Sequence, residues 1–146
     1  MAAQFDEEDL ILLITSGATG PYKLDPIRIM KSAFIVSQRG AKEWKSLFNF
    51  KPYDYGPFDP AVYRTLESLS AKNLIEELKD VGRYPYYRLT EAGSKRVEEL
   101  TADHKLELKW LKGVGQYVTA KSFERLLKEI YAEFPAFAEK SVFKLA

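Results

Sequence analysis

With 146 residues, 46% of them hydrophobic and 29% charged, the chain has the size and composition of one globular domain with a real core, which excludes a disordered polymer. Its 22 basic and 21 acidic side chains leave a net charge of +1, so no overall field draws it to nucleic acid and any phosphate contact has to come from a local patch. The lack of cysteine and the single histidine remove disulfides, thiolate zinc sites and multi-histidine clusters, and the expectation is a protein without metal or cofactor.

The first helix is announced by Asp6-Glu7-Glu8-Asp9, in which Asp6 caps, the acidic first turn complements the helix dipole and Phe5 staples onto Leu10. It runs to about Thr15. The apolar run at 10–14 is far too short for a membrane span and the first residues lack a signal peptide's basic flank, so a cytoplasmic protein without membrane contact is expected. After a loop over 16–23 the same grammar returns: Leu24, a capping Asp25, Pro26 in the first turn, then Ile27, Met30, Phe34 and Ile35 at helical spacing to about Gln38 and a stop at Arg39-Gly40. Trp44, Leu47 and Phe48 predict a short helix within 41–48, with Trp44 and Phe48 facing the core.

Tyr53-Asp54-Tyr55-Gly56-Pro57-Phe58-Asp59-Pro60 is the most informative stretch. Gly56 accepts positive φ and Pro57 fixes its own φ, so Tyr55-Gly56-Pro57 reads as a rigid corner, from which Asp59 caps a new helix with Pro60 at its first position. Tyr55 and Phe58 are expected to fold inward and set the direction of that helix, leaving Tyr53 as a contact residue. The helix over 59–72 turns Val62, Leu66 and Leu69 inward and Arg64, Thr65, Ser68 and Lys72 to solvent, and ends at a left-handed Asn73.

Leu74-Ile75-Glu76-Glu77-Leu78, the turn Val81-Gly82-Arg83 and the second run Tyr86-Tyr87-Arg88-Leu89 predict a hairpin, and Thr90 caps the helix after it. That helix carries Val97, Leu100, His104, Leu108 and Leu111 at spacings of three and four, with a division at Thr101-Ala102-Asp103 allowed and a break at Gly113-Val114-Gly115 expected. His104 reads as a core or interface residue. Thr119 then opens an amphipathic helix with Phe123, Leu126, Leu127, Ile130, Tyr131 and Phe134 on one face, stopped by Pro135. Helix, hairpin, helix is a winged-helix layout. The expected fold is therefore mainly α, a single winged helix-turn-helix-like domain over 1–146, with the helix-turn-helix and a two-stranded wing in 41–100 and a C-terminal helical extension in 101–146.

Asn49-Phe50-Lys51-Pro52-Tyr53-Asp54-Tyr55-Gly56-Pro57-Phe58, with the Leu66/Leu69 helix and Leu74-Ile75, resembles a group of small bacterial, archaeal and phage proteins that carry a Tyr-Gly-Pro-Phe corner. The stretch 127–141 resembles that group's closing motif, and the group is similar to the Panacea antitoxin domain. The resemblance implies a regulatory domain that binds a partner protein, DNA or both, and not an enzyme. The chain departs from the pattern in its helix over 27–36, which matches the Leu-Lys-rich character only loosely, and in a loop over 49–58 much longer than a helix-turn-helix turn.

Two functions follow as expectations. The first is a dimeric winged-helix transcription regulator that contacts double-stranded DNA through Arg64, Thr65, Ser68 and Lys72 of the helix and Lys79, Arg83, Tyr84 and Arg88 of the wing. The second is an antitoxin- or adaptor-like module that holds a partner protein such as a toxin, with Tyr53, Leu108 and Leu111 as contacts; the Leu108/Leu111 seam also predicts a homodimer. Glu98-Glu99 and Glu76-Glu77 are adjacent pairs whose side chains diverge, so neither forms an acid/base dyad.

Overall fold

The computed structural model describes residues 6–17, 24–40, 44–79, 85–104 and 108–141, of which 103, 104, 108, 109 and 112 are described by their backbone. Among these residues the protein is mainly α, with six helices and two small antiparallel hairpins. No helix among them is long and apolar enough to cross a membrane.

Helix α1, Glu7–Thr15, opens on a capping box: the Asp6 carboxylate accepts the Asp9 N–H at 2.9 Å and the Asp9 carboxylate accepts the Asp6 N–H at 3.1 Å. Everything from Asp9 to Thr15 is buried, because Leu10-Ile11-Leu12-Leu13-Ile14 is apolar all round and packs against four other helices. The Phe5 staple lies outside the described residues. Helix α2, Pro26–Arg39, has the expected Asp25 cap and stops at Gly40. Residues 44–48 form only a tight turn in place of a helix, although Trp44 and Phe48 are buried as expected and Trp44 stacks on Trp110 at 6.4 Å.

The aromatic corner is a hairpin of two three-residue strands, β1 Lys51–Tyr53 and β2 Gly56–Phe58, paired Lys51↔Phe58, Pro52↔Pro57 and Tyr53↔Gly56. Helix α3, Pro60–Ala71, follows it. One Asp59 oxygen accepts the Ala61 N–H at 2.9 Å and the other the Asn49 N–H at 2.7 Å, so a single carboxylate caps α3 and ties it to the chain ahead of the hairpin. At its far end Asn73 has φ 59° and the Leu74 N–H returns to the Leu69 carbonyl, a Schellman closure.

Strands β3 Ile75–Leu78 and β4 Tyr86–Leu89 pair Ile75↔Leu89, Glu76↔Arg88, Glu77↔Tyr87 and Leu78↔Tyr86. Leu24 adds a bridge to Tyr87, which places the segment ahead of α2 alongside β4. Thr90 accepts the Gly93 N–H at 3.0 Å, starting helix α4, Glu91–His104. Helix α5, Leu108–Thr119, runs straight through Gly113-Val114-Gly115, where a break was expected. The physical reason lies in packing: Leu111, Val114 and Val118 are buried in the core on one face of α5, which holds the glycines in the helix.

Ser122, not Thr119, caps helix α6, Phe123–Glu133; Thr119 ends α5 and bonds back to the Gly115 carbonyl. Leu126, Leu127, Ile130 and Tyr131 are buried against the body of the chain. After Pro135 a 3-10 turn, Pro135–Ala138, brings Phe137 edge-on to Phe34 at 4.7 Å, beside Phe134 at 5.0 Å.

Candidate functional site

The surface that matters most is formed by the outer side of α3 and the β3–β4 hairpin, where DNA contacts were expected. Thr65 is buried, and its hydroxyl donates to the Ala61 carbonyl at 2.7 Å, so it is not presented to solvent. It occupies the apolar stripe Val62, Leu66, Leu69 at i+3, where a threonine satisfies its hydroxyl by bonding back one turn. The Lys72 ammonium is held by Glu8 of α1 at 2.8 and 3.0 Å, and the Ser68 hydroxyl donates to the same carboxylate at 3.2 Å. Both Glu8 contacts keep the Lys72 proton on, raising its pKa above the ordinary lysine value. Arg64 alone of the four projects from α3 without a partner among the described residues.

In the hairpin, Lys79 is exposed beyond β3, and Arg88 is half-buried across from Glu76 with its guanidinium 5.7 Å over the Tyr86 ring. Arg83 and Tyr84 lie outside the described residues. Between hairpin and helix is a cleft of about 590 Å³ whose lining includes Tyr63, Leu66, Glu67, Glu77 and Tyr87. Burial is the main reason the Tyr87 phenol pKa is raised, and the charges of Glu77 and Glu67 push it the same way; burial and then Asp25 raise Tyr63. The cleft is therefore acidic where a phosphate backbone needs cations.

The second feature is the β1–β2 hairpin. Tyr53 is 52% exposed as expected, its ring stacked on Phe58 at 4.8 Å, and Phe58 meets Tyr63 edge-on at 5.6 Å. Tyr55, expected inside, is 50% exposed and leans on Phe123, because the two-residue hairpin loop carries it outward. Gly56 has φ +95° and is buried with Pro57, so the conformational reading of the corner holds. Beneath it the buried Lys31 ammonium donates to the Pro57 carbonyl at 3.2 Å, and desolvation lowers its pKa to about 8.

A β-carbon on Gly56 would lie 2.9 Å from a Leu127 methyl and 3.4 Å from the Lys31 stem, besides needing a left-handed backbone. Gly56→Ala is therefore expected to cost about 1–3 kcal/mol, read as a lower urea midpoint with an unchanged slope. An unaltered midpoint would mean that the corner relaxes freely.

The seam expected to pair two copies is turned inward. Val97, Leu100 and Leu111 are buried in the chain's own core, which removes Leu111 from any outer surface; the Leu108 side chain lies outside the described residues. Helix α4 is instead anchored to α1 by Arg96, whose guanidinium meets the buried Asp9 carboxylate at 3.1 Å. Burial raises the Asp9 pKa, partly offset by its hydrogen bond from Asp6 and by Arg96.

Tyr63 was not singled out from sequence, and Glu77 entered only as one of an adjacent acidic pair that forms no dyad. Their place in the cleft depends on the Glu77↔Tyr87 register, and the one local signal was the Tyr63/Glu67 spacing of four, which puts both on one side of α3. The chain matches no protein-family model and no curated protein.

Proposed function

We propose that this chain is a protein-binding module of the antitoxin or adaptor kind, built on a winged-helix scaffold that does not grip DNA. The order helix, bridge residue Leu24, helix, helix, hairpin supports the scaffold, since the single bridge from Leu24 to Tyr87 of β4 lies where a winged helix carries its first strand. The β1–β2 hairpin is an insertion in the turn between α2 and α3.

The observation that carries the functional reading is the engagement of Lys72 and Ser68 with Glu8. A recognition helix needs free cations, and of Arg64 in α3 and Lys72 at its C-cap the second is engaged by its own chain, while Glu67 is exposed on the same helix. The exposed Tyr53 and Tyr55 on a rigid hairpin are of the residue type that anchors protein interfaces.

Anisotropy titrations with duplex DNA over a range of salt test this. The expected result is weak binding with a shallow dependence of log affinity on log salt. A steep dependence that becomes shallower by about two units in an Arg83→Ala, Arg88→Ala double variant would establish phosphate contact by the hairpin and overturn the proposal. Cross-linking in cells of the source organism supplies the positive arm: a protein captured by the native chain and lost with Glu67→Arg supports it.

A further inference from the structure

We propose that the cleft between α3 and the β3–β4 hairpin receives an arginine side chain of a partner protein. This rests on the protein-binding reading above and names the chemistry that the site recognises.

The cleft has a floor and two walls of different character. Leu66 is buried at its base, and the half-buried rings of Tyr63 and Tyr87 give it aromatic surface. Glu67 stands on the α3 wall and Glu77 on the β3 wall, both exposed. Among the described residues neither carboxylate has an ion-pair or hydrogen-bond partner, whereas Glu8, Asp9, Asp25 and Glu129 are all satisfied within the chain. Both carboxylates line the same cleft as the Tyr87 ring, with Glu77 directly across the strand pair from Tyr87. Aromatic surface beside two carboxylates that have no partner among the described residues complements a flat cation.

Arginine fits that description better than its alternatives. Its guanidinium stacks on a tyrosine face while its N–H groups fork to a carboxylate; a lysine ammonium is a point charge that does only one of these well. Two carboxylates on opposite walls fall short of a metal's ligand set, and among the described residues no group of three ligating side chains exists. The cleft's volume of about 590 Å³ exceeds one side chain, leaving room for neighbouring residues of an extended segment along Pro26 and Ala71. A phosphate backbone meets two like charges in the same place.

The test is a titration of the isotopically labelled full-length chain, followed by amide NMR shifts, with three probes. One is a blocked glycine-serine peptide carrying two arginines, the second the same peptide with citrulline, which keeps the shape and removes the charge, and the third a short DNA duplex. Saturable shifts clustered on Tyr63, Glu67, Glu77 and Tyr87 are expected with arginine and not with citrulline. A Glu67→Gln, Glu77→Gln double variant, whose substitutions lie on the surface and leave the melting temperature unchanged, should bind the arginine peptide about tenfold more weakly. Equal binding of the citrulline peptide, an affinity unaffected in the double variant, or the absence of saturable shifts at the cleft overturns the proposal and leaves the protein-binding reading in place. Saturable shifts on Arg64 and Lys79 with the duplex overturn that reading itself.

Discussion

Gly93→Ala is expected to be severely destabilising for so small a substitution, because an added methyl would run into the Leu74 carbonyl oxygen. That oxygen has little freedom to retreat: it accepts the Thr90 N–H at 3.1 Å, while the Thr90 hydroxyl accepts the Gly93 N–H and donates to the Asn73 carbonyl at 2.6 Å. The end of α3, the start of β3 and the first turn of α4 are thus packed backbone against backbone around residue 93. Relief requires α4 to lift away, exposing part of the surface that buries Val97 and Leu100. A loss of about 3 kcal/mol or more is expected in urea unfolding. Gly113→Ala makes the control, since residue 113 is in α5 with open space where its β-carbon would go; there the same change should stabilise by up to about 1 kcal/mol. Equal effects at the two positions would mean that backbone proximity at Gly93 is not limiting.

Local signals carried most of the architecture. Asp6, Asp25, Asp59 and Thr90 each cap a helix, and Asn73 closes one, because these are decisions made within three or four residues of chain. What failed depended on distant partners. Gly113-Val114-Gly115 reads as a break by propensity, but α5 is held by Leu111, Val114 and Val118 in the core, which outweighs about 1 kcal/mol per glycine. Strands as short as β1 and β2, each with a proline, leave no alternation to detect.

The candidate site was less legible for the same reason. Ser68 and Lys72 read as a free hydroxyl and a free cation on a solvated face, and only the packing of α3 on α1 brings Glu8, some sixty residues earlier, against them. Thr65 was turned to solvent because of its polar type, although its place at i+3 from Val62 puts it on the buried stripe. Tyr55 and Leu111 exchanged expected places, one outward on a hairpin loop and the other inward beneath α1 and α2, once the tertiary arrangement was known.

The stability of the protein should rise as pH is raised from about 8 to 10, against the usual loss in alkali. Burial lowers the Lys31 pKa from the ordinary 10.5 to about 8. Below pH 8 the amine is charged in both states and the folded state bears the whole desolvation cost. Between the two values the unfolded chain binds a proton that the folded chain does not, so stability increases with pH by at most about 1.4 kcal/mol per unit. The tyrosines work in the opposite sense and later: Tyr63, Tyr87 and Tyr117 have raised pKa values, so their contribution declines only above the ordinary phenol value of 10. Unfolding midpoints across pH 7 to 11 should therefore pass through a maximum near 10. In Lys31→Met, which keeps the unbranched stem and discards the charge, the rise between 8 and 10 should vanish and the midpoint at pH 7 should exceed that of the native chain. A native profile that is flat over this window, or a variant that retains the rise, would show that Lys31 is not the group responsible. The same variant removes the donor that holds the Pro57 carbonyl to α2, so amide exchange in the β1–β2 hairpin should quicken while the molecule as a whole becomes harder to unfold. Opposite changes in local protection and global stability would identify the ammonium as a clamp on the aromatic hairpin, maintained at a cost to the fold.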